Sequence, residues 1–95
     1  MAKDSFEWAL EKDLENQLKH GVSFKLAQYA FADKNRVIAR DIAHSQGEYR
    51  HFCFGKISVG ILTVRFTYRK GTVRIFGAGF WRKGRQLYEQ ENKIY

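Results

Sequence analysis

An imidazole, a carboxylate and a group of basic side chains give this sequence the residue types needed to cleave a phosphodiester. RNA cleavage by attack of a 2′-hydroxyl requires a base, an acid for the leaving 5′-oxygen and cations for the developing charge. His20, Glu48 and two or three arginines or lysines can meet these needs without a metal. The composition permits this chemistry but does not establish it, so the elements that position these residues decide the question.

His20 lies at a predicted corner between two helices, in the run Lys19-His20-Gly21-Val22-Ser23-Phe24. Positive charge suits the end of the first helix, and Gly21 ends it because glycine adopts the left-handed conformation at little cost. Ser23 can cap the second helix. Local chemistry favours His20 as a partner of the helix dipole. The alternative interpretation gives phosphate binding to Lys19 and proton transfer to His20.

A predicted β-hairpin gathers arginines on one side of a sheet. Residues 61–69 alternate apolar and polar side chains, and Lys70-Gly71 can form a two-residue turn. The resulting register places apolar side chains opposite apolar ones, as in Phe66 opposite Ile75. The polar side of this hairpin carries Arg65, Arg69 and Arg74. Such a cluster suits an anionic ligand, and a solvated outer face is the alternative.

The charges of the chain are unevenly distributed. Seventeen Lys and Arg against ten Asp and Glu give a net charge of +7, which indicates an anionic partner: nucleic acid first, an acidic protein second and an anionic membrane third. Between Tyr49 and Tyr88 there are nine bases and no acid. The residues expected to bind RNA are Lys19, Arg50, Arg69, Arg82, Lys83 and Arg85. The aromatic residues expected to stack on bases are Tyr49, Phe76 and Trp81.

Several other classes of protein are disfavoured. A single cysteine excludes an internal disulfide and fits a reducing cytoplasm, where we expect the protein to be located. The sequence contains no apolar leader and no run long enough to span a membrane. It has neither a complete dinucleotide-binding motif nor a P-loop, and its histidines and Cys53 lack metal-ligand spacing. We therefore expect no metal and no cofactor.

The expected fold class is α+β. Helices are predicted over residues 10–20, 24–31 and 80–91, and strands between the second and third helices, with a turn over Gly55–Gly60. The chain is expected to form one domain over residues 1–95, in which two N-terminal helices pack on an antiparallel sheet of four or five strands, followed by a C-terminal helix. Phe6-Glu7-Trp8 can form a short edge strand. The first helix is expected to cover the sheet with Leu10, Leu14 and Leu18.

Three further expectations concern packing. The sheet side chains predicted to be buried are Leu62, Val64, Phe66, Tyr68, Val73 and Ile75. Gly84 is expected to weaken the last helix by about 1 kcal/mol relative to alanine. The heptad spacing of Trp81, Tyr88 and Tyr95 predicts a docking face on that helix.

The motifs together resemble those of the BrnT toxins. The resemblance rests on Phe6-Glu7-Trp8, on the Lys19–Phe24 run, on His44-Ser45 followed by Glu48, and on Arg74-Ile75. It implies a ribonuclease toxin of a type II toxin–antitoxin pair with a RelE-like fold. It also implies a BrnA-type antitoxin that binds both toxin and operator DNA, and we expect a heterotetramer of two toxins and two antitoxins.

The resemblance also implies which residues act. By position, the functional candidates are Lys19, His20, Glu48 and Arg74, and the hairpin adds Arg65. Many BrnT members have Ser-Ala-Arg where this chain has Gly77-Ala78-Gly79, so an arginine is missing at position 79, where Arg82 or Arg85 is a candidate substitute. Two alternatives remain open: a non-catalytic basic module that binds RNA or an acidic partner, and a RelE-like toxin that inhibits a topoisomerase.

Overall fold

The computed structural model describes residues 5–93, which form five strands and three α-helices. In chain order these elements are β1 (Ser5–Glu7), α1 (Leu10–His20), α2 (Phe24–Ala27), β2 (Val37–Arg40), β3 (Arg50–Ile57), β4 (Gly60–Arg69), β5 (Thr72–Gly79) and α3 (Arg82–Glu91). Short 3₁₀ segments follow α2 at Gln28–Ala32 and β2 at Ile42–His44. The fold class is therefore α+β, as the sequence predicts.

The strands form one mixed sheet in the order β1-β5-β4-β3-β2. Strands β2 to β5 pair antiparallel, but β1 pairs parallel to β5, so the prediction of a purely antiparallel sheet is wrong. The difference arises because no hairpin joins β1 to β5. The remainder of the domain connects them, and a long connection permits parallel pairing. The predicted edge strand at Phe6-Glu7 does form.

The β4–β5 hairpin has the predicted register. Lys70 and Gly71 both have positive φ values, 50° and 79°, as a tight hairpin turn of the primed type requires. Phe66 pairs with Ile75, but Arg65 pairs with Gly77, so one extra residue forms a β-bulge in β5. The predicted turn over Gly55–Gly60 is wrong, because β3 continues to Ile57 and only residues 58 and 59 turn.

The main chain of the 3₁₀ segment passes directly over Gly55 of β3. A Cβ atom at Gly55 would overlap the backbone of Ala30, so only glycine permits this approach. The core lies between α2, the 3₁₀ segment and this face of the sheet. Its buried sheet side chains include five of the six predicted ones: Leu62, Val64, Phe66, Val73 and Ile75. Tyr68 is 53% exposed, so its predicted burial is wrong.

The orientation of α1 differs from the prediction. Its leucines do not pack on the sheet but face solvent, and Asn16 is the buried side chain of the helix. The Asn16 amide donates to the carbonyl oxygens of Val22 (2.8 Å) and Ala78 (2.9 Å), and its Oδ1 accepts from the Ala78 N–H at 3.1 Å. Asp13 Oδ1 accepts from the Phe24 N–H at 2.8 Å. Helix α1 is therefore attached to β5 and α2 by polar side chains.

The predicted corner between α1 and α2 is confirmed. Gly21 ends α1 in the left-handed conformation with φ 67°, and the Ser23 hydroxyl accepts from the Leu26 N–H at 3.1 Å. Val22 and Phe24 are fully buried on either side of the cap. The second helix is shorter than predicted, because it changes to 3₁₀ geometry after Ala27.

Helix α3 lies on the other face of the sheet, over the end where β4 begins. A Cβ atom at Gly84 would overlap Thr63 and the Phe54 ring, so this glycine serves close packing. Tyr88 is buried and its hydroxyl donates to Asp33 Oδ2 at 2.6 Å. Of the predicted docking face, Trp81 is half-buried, and Tyr95 lies outside the described residues.

Candidate functional site

Helix α3 covers only one end of the second sheet face, and the rest of that face is lined by arginines. Gly84 contacts the sheet at Thr63 and Phe54, near the start of β4 and the end of β3. Beyond this contact, alternation along the strands places four basic side chains on the same face: Arg50, Arg65, Arg69 and Arg74. We call this surface the arginine face. The predicted clustering of Arg65, Arg69 and Arg74 is thus present.

One row of side chains crosses the arginine face over four strands. Glu7 of β1 is paired with Arg74 of β5, Arg74 with Thr67 of β4, and Thr67 with Arg50 of β3. At about 4.8 Å per strand, the row spans about 14 Å. Arg74 Nη1 lies 2.9 Å from Glu7 Oε2, so a carboxylate neutralises this end of the row. Arg50, at the other end of the row, forms no ion pair with another residue between 5 and 93 and keeps its positive charge.

The β-bulge gives the arginine face its aromatic centre. Phe76 is the extra residue of β5, and its ring lies 4.8 Å from Cζ of Arg50 and 5.2 Å from Cζ of Arg65. Such cation–π contacts hold both guanidinium groups over one ring. The buried Nε atom of Arg50 has no hydrogen-bond partner among the described residues. The two cations are therefore fixed close together without a carboxylate between them.

Glu48 lies at the hairpin end of the arginine face. Its carboxylate is paired with Arg69 through contacts of 3.3 Å and 3.4 Å, and about a third of its side chain is exposed. Both partners remain accessible, and surface ion pairs of this kind contribute little to stability. Glu48 is therefore available to a ligand on the arginine face.

His20 lies at the opposite end of the sheet. Its exposed ring packs edge-on against Trp81, with ring centroids 5.2 Å apart. Trp81 in turn lies over Gly79, which is paired with Thr63. Thr63 and Arg69 are six residues apart on β4, about 20 Å at 3.3 Å per residue. The structure thus brings Glu48 to the arginine face but does not bring His20 and Glu48 into contact.

Trp81 occupies the space beside position 79. A Cβ atom at Gly79 would lie 2.6 Å from Cζ2 of Trp81, so no larger side chain fits unless the indole moves. The absence of a side chain at position 79 is therefore coupled to the position of Trp81, and through Trp81 to His20.

A pocket of about 390 Å³ opens beside Trp81, between the β3–β4 turn and the start of α3. It is lined by Val59, Gly60, Ile61, Phe80, Trp81, Arg82 and Arg85. Arg82 and Arg85 are three residues apart on one side of α3, and both are exposed. Two aromatic rings and two guanidinium groups around one cavity have the chemistry that binds a base and its phosphate. Lys19 and Lys83 are exposed and outside this lining.

Other ionisable groups show the effects of burial. Burial raises the pKa of the Cys53 thiol to about 12, so this cysteine is a packing residue, as its flanking phenylalanines predict. His44 Nδ1 contacts the Asp41 carboxylate at 3.0 Å. Burial, together with the charge of Arg40, lowers the pKa of His51 below its ordinary value. Within residues 5–93, no three His, Cys, Asp or Glu side chains form a group suited to a metal ion, and no helix is long and apolar enough to cross a membrane.

Comparison with known protein families identifies the family of this chain. A family model described as the ribonuclease toxin BrnT of a type II toxin–antitoxin system matches residues 8–84. The chain belongs to the BrnT family. BrnT proteins are ribonuclease toxins, and a type II system includes a protein antitoxin that binds the toxin. No curated protein matches the chain in sequence.

The region that matches the BrnT family contains most of the candidate site. It begins one residue after Glu7 and ends at Gly84, so Arg85 lies just beyond it. Glu7 is the site residue whose role sequence reasoning missed, although it belongs to the Phe6-Glu7-Trp8 motif. A signal for the bulge was present, because Ile75-Phe76 interrupts the alternation of β5 just before a glycine.

Proposed function

We propose that this BrnT protein is an endoribonuclease that binds RNA along the arginine face and cleaves it there through side chains alone. The observation that supports this proposal most directly is the pair of guanidinium groups, Arg50 and Arg65, held over the Phe76 ring. Cations fixed in place before the reaction stabilise developing charge without reorganisation. The scissile phosphate lies over this centre, with Glu48 at the hairpin end of the arginine face and Glu7 at its β1 edge.

The proposed roles follow from these positions. Glu48 is the base that removes the proton from the 2′-hydroxyl, and Arg65 neutralises the phosphorane. Arg74 stabilises the leaving 5′-oxygen, which takes a proton from water as its bond to phosphorus breaks and a 2′,3′-cyclic phosphate forms. Glu7 orients Arg74 through their 2.9 Å contact. Arg50 binds the scissile phosphate beside Arg65, and Arg69 holds a neighbouring phosphate.

His20 has a separate place in this proposal. The contact of His20 with Trp81 places His20 beside the pocket at the start of α3. In this position His20 holds the Trp81 indole, against which a flanking base stacks. Arg82 and Arg85 bind the phosphate of that nucleotide, and Lys19 and Lys83 attract the strand by charge. Proton transfer by His20 is the competing role. The cleavage rate at saturating RNA distinguishes the two roles, because only proton transfer affects that rate.

The test is single-turnover cleavage of a short RNA by purified toxin variants. Glu48→Gln and Arg65→Gln are expected to lower the cleavage rate at saturating RNA by about 10²-fold or more, as for a lost base or a lost transition-state cation. His20→Ala is expected to weaken RNA binding while the saturated rate stays near wild type. Lys25→Gln removes an exposed base from α2, on the other side of the sheet, and is the matched control.

Four results contradict the proposal. If the Glu48→Gln variant is fully active, Glu48 is not the base. If the His20→Ala variant shows no turnover at saturating RNA, the cleavage centre lies at the Trp81 end of the sheet. RNA binding without cleavage by the wild-type protein supports the non-catalytic module instead. Inhibition of supercoiling at unchanged RNA integrity supports the topoisomerase alternative.

The proposal also covers the assembly. It includes a RelE-like fold over one domain of residues 1–95, a cytoplasmic location, and a BrnA-type antitoxin in a complex of two toxins and two antitoxins. Operator DNA is contacted through the antitoxin. The acid-free interval between Tyr49 and Tyr88 supports an acidic antitoxin segment over the arginine face. Such cover predicts that the complex binds stray RNA less, and with less salt dependence, than the free toxin.

A further inference from the structure

Helix α1 carries an apolar stripe that faces solvent within the described part of the chain. Leu10, Leu14 and Leu18 follow one another at four-residue spacing and are 68%, 52% and 90% exposed. Single exposed apolar side chains are normal, but three aligned on one helix face form a patch of the kind that binds a partner. The helix is attached to the protein by its other side, through Asp13 and Asn16.

Acidic side chains border this stripe. At 100° per residue, Glu11 and Glu15 lie about 60° and 100° around the helix from Leu14, on the same side. Glu11 and Glu15 are both exposed, and neither forms an ion pair with another residue between 5 and 93. The surface that complements α1 therefore combines apolar side chains with positive charge.

We propose that the α1 stripe is the docking site for an amphipathic helix of the protein antitoxin. That helix carries leucine-like side chains every third or fourth residue and lysines or arginines that face Glu11 and Glu15. An apolar face with i, i+4 anchors is a common mode of helix recognition. The inference rests on the antitoxin that the BrnT family implies, and not on the chemistry proposed for the arginine face.

A second copy of the chain fits this stripe less well. In an antiparallel pair centred on Leu14, two-fold symmetry places the acidic flanks of both copies, Glu11 and Glu15, on the same side of the interface, where like charges repel each other. Each copy also carries a net charge of +7. A partner helix with basic flanks removes the first conflict, so charge complementarity favours the antitoxin.

The test compares two exposed apolar side chains with nearly equal exposure. Leu18 is 90% exposed on the stripe, and Ile42 is 85% exposed in the 3₁₀ segment after β2. The binding measurement is calorimetric titration of the toxin with its purified cognate antitoxin. Leu18→Gln is expected to weaken its binding about tenfold or more, the effect of losing an interface anchor, and Ile42→Gln is expected to change it less than about twofold.

Charge reversal gives a second, independent arm. Glu15→Lys is expected to weaken antitoxin binding, with a larger loss at low salt than at high salt. The free Leu18→Gln toxin is expected to cleave RNA at the wild-type rate, because the stripe shares no residue with the arginine face. If the wild-type toxin does not cleave RNA, the proposed function is contradicted, but the measured affinity of the α1 stripe for the antitoxin still stands.

Two outcomes overturn the inference. If Leu18→Gln and Leu14→Gln both leave antitoxin affinity unchanged, the stripe is not the docking site. If sedimentation equilibrium shows that the wild-type toxin dimerises at micromolar concentration and Leu18→Gln abolishes the dimer, the occupant is a second copy. Thermal unfolding of each variant near the wild-type temperature shows that the substitutions act on binding and not on folding.

Discussion

Asn16 is expected to contribute more to stability than any leucine of its helix. It is 7% exposed and makes three hydrogen bonds, two of them to the main chain of Ala78. Ala78 and Val22 are both fully buried, so the groups that Asn16 binds are shielded from bulk water. After an Asn16→Ala substitution, one N–H and two carbonyl groups lose a partner inside the protein.

The expected cost follows from these three bonds. Each contributes about 1 kcal/mol net, and a buried group left without a partner costs about 1–3 kcal/mol. Asn16→Ala is therefore expected to lower the free energy of unfolding by about 3 kcal/mol. Asn16→Leu fills a similar volume but supplies no donor or acceptor, and a comparable loss is expected. Gln17→Ala removes a neighbouring exposed amide and is expected to cost less than about 0.5 kcal/mol.

Urea unfolding monitored by circular dichroism measures these differences, and hydrogen exchange locates them. The amide of Ala78 is expected to exchange faster in Asn16→Ala than in Gln17→Ala, because its acceptor is gone. A loss below about 1 kcal/mol in Asn16→Ala, with unchanged protection of Ala78, refutes the reasoning. Apolar contacts and not polar side chains then hold α1 in place.

Two further predictions concern packing and pH. Gly84→Ala is expected to destabilise the protein by about 1–3 kcal/mol because the new Cβ atom overlaps Thr63, and this cost exceeds the gain from the higher helix propensity of alanine. Thermal unfolding measures the difference, and a variant more stable than the wild type contradicts the prediction. The lowered pKa of His51, caused first by burial and then by Arg40, means that the unfolded chain binds the proton more readily. The contribution of His51 to the free energy of unfolding is therefore expected to be full above about pH 6.5 and to fall below it. Urea unfolding at about pH 5 and about pH 7.5 measures the loss of stability on acidification, which is expected to be smaller in His51→Gln than in the wild type. An equal loss in both proteins argues against this role for His51.

Local chemistry made the corner and the hairpin predictable. A left-handed glycine followed by a serine cap involves residues within one or two turns, as does the Lys70-Gly71 turn. The arginine face followed from the same alternation, because side chains two residues apart share a face of the sheet. These features depend on near neighbours in the sequence, and the structure contains all of them.

The contacts that sequence reasoning missed join residues far apart in the chain. Asn16 and Ala78 are 62 positions apart, and Glu7 and Arg74 are 67 apart. The leucines of α1 show that the helix has an apolar side, but the pattern cannot say whether the sheet or another protein covers it. The separation of His20 from Glu48 likewise depends on where α1 joins β5, which the local sequence does not encode.

The pairing of β1 with β5 has a consequence for the newly synthesised protein. β1 leaves the ribosome before its partner strand, which begins at Thr72 and ends at Gly79. At about 5–20 residues per second, β1 waits about 4–14 s for β5. Until then Glu7 cannot contact Arg74, and Asn16 has no Ala78 to bind. The nascent toxin therefore cannot complete its arginine face until β5 has been synthesised.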